Sequence, residues 1–166
     1  MQTFLIALRA LVYAIAALLL LAWVVLGVRS FDRGVGMWLP AWVEWPGVTF
    51  IAAGGILALV CFGVFIARGR GTPFVADPPQ EFVAAGPYKY VRNPIYIGQV
   101  AVLVGLGLYL RSVSILVFAL LWFVLLHLFV VYLEEPDLRK KFGATYEGYC
   151  QAVRRWIPSV GSAKGK

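Results

Sequence analysis

Residues 93–133 read NPIYIGQVAVLVGLGLYLRSVSILVFALLWFVLLHLFVVYL, and the fold turns on this stretch. Its one formal charge, Arg111, separates 18 uncharged residues (Asn93 to Leu110) from 22 more (Ser112 to Leu133). A helix crosses a hydrocarbon core about 30 Å thick with roughly 17–25 mostly apolar residues. Each run is therefore long enough to span a bilayer, and the tight turn at Arg111-Ser112 makes the two a helical hairpin. Asn93 as N-cap and Pro94 in the first turn mark where the first of them begins.

The same test applied outward finds two further runs: 19 uncharged residues from Ala10 to Val28 and 23 from Trp45 to Ala67. The sequence thus predicts an all-α fold, an integral membrane bundle of four transmembrane helices. Composition agrees, with 61% hydrophobic and 14% charged residues, against about 45–50% and about 25% in a soluble domain. It excludes a disordered chain, a disulfide scaffold and an ordinary cytosolic enzyme. The first run is read as a retained span, because it is too long for a cleaved leader and no small-x-small site follows it. Residues 1–67 then form two N-terminal spans. Residues 68–166 form a core of cytoplasmic loop, hairpin and tail.

Four spans place the N-terminus, the loop 68–92 and the tail on one side. That side holds Arg9, Arg68, Arg70, Lys89, Arg92 and seven tail cations, twelve in all, against three (Arg29, Arg33 and Arg111) on the other. Both termini are expected in the cytoplasm. The net charge of +7 is mostly carried on that face, where it suits anionic headgroups rather than nucleic acid. Trp38, Trp42 and Trp45 read as an aromatic belt. Gly54, Gly55 and Gly63 are expected to allow close helix contact. The loop 68–92, rich in Pro and Gly, carries Phe74, Phe82, Tyr88 and Tyr90, and is expected to fold back on the membrane surface.

After Glu134-Glu135-Pro136 the tail has an apolar stripe of Leu138, Phe142, Tyr146, Tyr149, Val153 and Trp156 at spacings of three and four. Arg139, Lys140, Lys141, Glu147, Gln151 and Arg154 lie opposite. This is a C-terminal amphipathic cytoplasmic helix lying along the membrane, with Gly143 as its weak point.

The hairpin brings two opposite poles to one end. The start of its first helix offers unpaired N–H groups and the Arg92 guanidinium, which favour a carboxylate or phosphate. The end of its second helix carries Glu134 and Glu135, the wrong sign for a helix C-terminus by about 0.3–1 kcal/mol each. A zwitterion with an extra cation would suit both poles; a plain Arg92–Glu134 ion pair closing the hairpin would also account for them. His127 lies seven residues before Glu134, two turns and ~10 Å deeper on nearly the same face, either as a functional group or as a histidine bonded within the bundle. Cys61 and Cys150 form no metal-ligand spacing or expected disulfide, so no metal is assigned. The lone His127 excludes bis-histidine haem.

Two segments together, GPYKYVRNPIYIG (86–98) and HLFVVYLEEPDLRKKFGATYEGYCQAVRRWIP (127–158), resemble the isoprenylcysteine carboxyl methyltransferase and phospholipid methyltransferase superfamily. The resemblance covers about residues 71–158. It implies an S-adenosylmethionine-dependent methyltransferase acting on a lipophilic acceptor, with the cofactor in a cytoplasm-facing pocket built from the last two spans and the tail. Matching positions are Arg92, Pro94, Tyr96, Gly98, Glu134 and Glu135; Asn93 stands where the family usually has His. On that likeness Arg92 and the helix start beside Asn93 take the cofactor's carboxylate. Glu134 or Glu135 takes its ammonium or a ribose hydroxyl, and Tyr88, Tyr90 or Tyr96 stacks on adenine or faces the sulfonium. His127 and Arg155 are the candidates on the acceptor side, Arg155 for an anionic lipid head. The acceptor could be a prenylated cysteine carboxylate, a phospholipid amine or another lipophilic group. No Gly-rich strand-to-helix turn of the soluble kind is present. A sterol-type NADPH-dependent reductase and a non-catalytic lipid-binding subunit are the competing readings.

Overall fold

The computed structural model describes residues 2–35, 39–64, 67 and 84–158. Long helices dominate: α1 (Gln2–Arg29), the single turn α2 (Asp32–Val35), α3 (Glu44–Val64) entered through a 3₁₀ turn (Ala41–Val43), α4 (Pro94–Tyr109) and α5 (Val113–Phe129). A 3₁₀ turn (Gly86–Lys89) precedes α4. A π turn (Val130–Glu134) joins α5 to α6 (Glu135–Phe142), and α7 (Ala144–Ala152) follows. Trp38, most of the loop 68–92 with Phe74 and Phe82, and the last eight residues lie outside the described residues.

Among the described residues two helices are long and apolar enough to cross a membrane, Ala41–Val64 with 24 residues and the continuous rod Val113–Phe142 with 30. Helix α4 has 16 residues, about 24 Å at 1.5 Å per residue. It is shorter than its 18 uncharged residues because Leu110 caps it and Arg111 turns the chain with φ of 51°. Ser112 then caps α5, its Oγ accepting from the Ile115 N–H at 3.1 Å. Helix α1 has 28 residues. Its Val25 is buried against Leu103, Ile115 and Ala119 of the hairpin. The Ser114 N–H donates to Asp32 Oδ1 at 3.0 Å, tying α2 to the start of α5. The outer surfaces are apolar, with Trp23, Trp45 and Leu59 all more than 70% exposed.

Helices α3 and α4 run antiparallel along a glycine seam. A Cβ added at Gly54 would stand 2.6 Å from the Gly98 carbonyl oxygen, and one at Gly105 would stand 2.7 Å from that of Gly47. The backbones touch, as small residues permit in a medium where apolar side chains gain nothing by leaving lipid. Of the three glycines expected to serve this purpose in α3, only Gly54 does. Gly55 and Gly63 have nothing within 4 Å, and Gly47, seven residues before Gly54, is the second contact.

The C-terminal half departs from the expected single amphipathic helix in two ways. Gly143, with φ of 52° and ψ of −130°, divides it into α6 and α7. Helix α7 ends at Ala152, and Val153 is extended. The inward stripe survives the break, with Tyr146 and Val153 buried and Arg139, Lys140, Lys141 and Glu147 exposed. The second correction concerns Glu134 and Glu135. They are not at a helix C-terminus, because the rod continues through them to Phe142. Pro136 lacks an N–H and would clash with the carbonyl of Tyr132 in a regular helix; the wider π turn that contains Tyr132 accommodates it. The unfavourable dipole argument therefore does not apply to these acids.

Candidate functional site

At the end of the hairpin where α4 begins, the tail folds back as an extended segment beside residues 91–93. The Arg92 N–H donates to the Arg154 carbonyl at 2.9 Å, and Val91 and Arg154 form a parallel bridge. Asn93 Nδ2 donates to the Arg155 carbonyl at 3.2 Å. The Asn93 side chain thus makes no capping bond to α4. It is buried and pins the tail. Tyr149 adds a third tie, its hydroxyl donating to the Tyr88 carbonyl at 2.6 Å.

These ties assemble an ionic cluster around Glu135, whose side chain is 3% exposed. Arg155 meets it with two nitrogens, Nε to Oε1 at 2.7 Å and Nη2 to Oε2 at 3.0 Å. Arg92 Nη1 lies 3.1 Å from Oε1 and Arg139 Nη2 lies 3.6 Å from Oε2. Arg92 Nη1 also donates to Cys150 Sγ at 2.8 Å, while Arg92 Nε is buried without a hydrogen-bond partner. The hydrogen bonds from Arg155 to Glu135 hold the Arg155 guanidinium above its usual range. A planar fork on a carboxylate is the strongest form of such a pair. Arg155 therefore closes the tail on α6 through two of its nitrogens, Nε and Nη2.

Glu134 has a different neighbourhood. Adjacent residues on a helix point about 100° apart, so the two acids face different partners; the π turn that ends at Glu134 adds about one residue to the register between α5 and α6. Tyr96 Oη donates to Glu134 Oε2 at 3.0 Å. Tyr88, buried at 6% exposure, forms a cluster with Cys61 and Ile95 against which Tyr96 packs. Burial pushes the Tyr88 phenol up, as it does those of Tyr146 and Tyr149, so all three stay protonated donors near neutral pH. Among the described residues no Lys or Arg pairs with Glu134. The expected ion pair between Arg92 and Glu134 is not formed; Arg92 goes to Glu135. His127 accepts at Nδ1 from Trp156 Nε1 at 3.0 Å, a partner other than that of Glu134.

The structure therefore brings Tyr88, Arg92, Asn93, Tyr96, Glu134, Glu135 and Arg155 to one end of the hairpin. Tyr90 stands apart at 56% exposure. Gly98 is buried in the seam, where a Cβ would come 2.8 Å from the Gly54 carbonyl oxygen, so it makes the close helix contact there. Arg139, Tyr149, Cys150 and Trp156 belong to the site although sequence reasoning gave them no part in it. The inward stripe pointed to Tyr149 and Trp156; Cys150 carried no signal at all. Among the described residues no group of His, Cys, Asp and Glu could hold a metal ion.

The described residues offer a buried Arg92 Nε without a hydrogen-bond partner and, at the same end of the hairpin, a Glu134 carboxylate that none of the described Lys or Arg residues pairs with. Those two groups suit a ligand that carries both an anionic and a cationic group. No curated protein matches the chain. A family model, described as phospholipid methyltransferase, matches residues 42–145, which includes α3, the whole hairpin and the Glu134-Glu135 pair. That match covers more than half of the 166 residues, and the chain belongs to the phospholipid methyltransferase family, a family of membrane methyltransferases.

Proposed function

We propose that the protein is an S-adenosylmethionine-dependent methyltransferase whose acceptor is a lipophilic molecule reached from the bilayer, an isoprenylcysteine carboxylate or a phospholipid amine. The observation that carries this reading is the asymmetry of the two acids. Glu135 is neutralised by three guanidinium groups. Glu134 keeps one phenolic donor and, among the described residues, no cation, an arrangement that favours a cationic ligand. Arg92 Nε, buried and without a partner, supplies the complementary donor for a carboxylate.

When bound, S-adenosylmethionine supplies a methyl carbon already activated by its sulfonium. The chain's own residues have the simpler tasks of orientation and water exclusion. Glu134 attracts the positive charge, with Tyr96 fixing the carboxylate. Arg92 and the first N–H groups of α4 hold the negative end. Tyr88, in the buried cluster that Tyr96 packs against, supplies an aromatic wall. Glu135 with Arg155 and Arg139 keeps the tail closed over this end. The chain is taken to span the bilayer four times with both termini in the cytoplasm. The exposed cations of α6 at this same end, Arg139, Lys140 and Lys141, support that orientation.

The test is calorimetric. S-adenosylhomocysteine should bind detergent-purified protein saturably, and Glu134→Gln should weaken binding about ten- to a hundredfold, the equivalent of one charged hydrogen bond, with the melting curve unchanged. No heat and no melting shift at millimolar ligand would overturn the reading. Labelled cofactor followed by mass spectrometry of lipids and prenylated peptides identifies the acceptor.

A further inference from the structure

The pairing of His127 with Trp156 has a chemical consequence. An indole N–H only donates, so the nitrogen it meets, His127 Nδ1 at 3.0 Å, must be the bare one. A neutral ring then carries its proton on Nε2. The partner is held firmly. The Trp156 ring packs edge-on against Phe123 with centroids 5.1 Å apart, and its centroid lies 6.1 Å from that of His127. The residue before it, Arg155, is fixed on Glu135 by two hydrogen bonds. Among the described residues Nε2 has no protein partner, and it is not enclosed. The neighbouring side chains of α5, Val124, Leu125 and Leu128, are exposed and apolar. His127 thus offers one N–H donor to an apolar, outward-facing surface where water is scarce and lipid oxygens are the available acceptors.

We infer that His127 is a tautomer-fixed hydrogen-bond donor for an anionic oxygen, carboxylate or phosphate, on the head of the lipophilic acceptor, and that it is not a general base. Its lone pair is covered by Trp156, so it has no site for a proton taken from the acceptor. The donor is suited to an anionic oxygen because such bonds are about twice as strong as neutral ones. His127 is then a specificity-determining residue on the acceptor side, separate from Glu134 and Arg92. This inference rests on the methyltransferase reading for the identity of its ligand, while the tautomer itself does not.

The protein has a single histidine, so tag-free protein labelled with nitrogen-15 in the imidazole and placed in lipid nanodiscs gives one pair of ring signals. The expected spectrum has a protonated Nε2 and a bare Nδ1, and Trp156→Phe, which keeps the ring but removes the N–H, mixes the tautomers. Adding short-chain phosphatidylethanolamine or a prenylated cysteine should shift the Nε2 signal and leave Nδ1 in place. The ligand that does so tells phosphate from carboxylate. In steady-state assays His127→Leu should raise the acceptor KM about ten- to a hundredfold with kcat little changed, and His127→Gln, which keeps an amide donor, should restore it. A protonated Nδ1 in the wild type, an Nε2 signal indifferent to both ligands, or loss of kcat in His127→Gln with an altered pH profile would each overturn the inference. Cofactor titration on the same samples separates the two readings. If S-adenosylhomocysteine binds and Nε2 ignores both lipids, only the role of His127 falls. If it does not bind, the methyltransferase reading falls and takes the acceptor assignment with it.

Discussion

Replacing Glu135 by Gln should unfasten the tail. The Glu135 side chain is 3% exposed and its partners Arg92 and Arg155 are 12% and 29% exposed, so the cluster is largely out of water. Arg139 is 47% exposed and contributes about 0–1 kcal/mol. Removing one partner from a buried pair leaves the other charge uncompensated and costs about 3–5 kcal/mol. Gln retains one acceptor oxygen, which places the expected loss near the lower figure, about 3 kcal/mol. For a chain of this size that corresponds to a fall in Tm of about 6–12 °C. Melting in detergent, followed by tryptophan fluorescence, measures it, and limited proteolysis should show cleavage after residue 143 becoming faster in the variant. A Glu135→Gln protein that melts with the wild type and resists protease equally would refute the clamp. Glu134→Gln is the internal contrast, since it removes no ion pair and should leave Tm in place.

Two further outcomes test the packing argument. Gly54→Ala places a methyl 2.6 Å from the Gly98 carbonyl oxygen and should lower stability by about 1–3 kcal/mol, whereas Gly55→Ala, one residue on and facing open space, should be neutral or slightly stabilising; paired melting curves decide. Gly143→Ala forces a side chain into φ of 52° and ψ of −130°, so it should cost about 1–3 kcal/mol and loosen α7, read as faster amide exchange at Tyr146 and Tyr149.

The sequence by itself determined where the helices fall. Freedom from charge over long runs is a property of composition, and lipid imposes it residue by residue. The hairpin at Arg111-Ser112, the start of α4 at Pro94 and the inward stripe of the tail could all be read without coordinates, because capping, turn chemistry and helical period act over a few neighbouring residues. So could the gathering of Arg92, Tyr96, Glu134 and Glu135 at one hairpin end.

Only the tertiary structure decided which acid does what. Glu134 and Glu135 are adjacent and chemically alike, yet one meets Tyr96 and the other three arginines, at the end of a π turn that sequence period does not reveal. The same holds for the glycines. Gly54 and Gly55 are identical residues in one apolar helix, and which of them touches α4 depends on a crossing geometry set by the whole seam. Trp156 meets His127 because the chain leaves the helix after Ala152 and runs back beside residues 91–93. Apart from Arg139, which lies four residues from Glu135, these contacts join positions about 20 to 60 apart in sequence, and their partners are chosen by the packing of helices on one another, which no local property of the chain encodes.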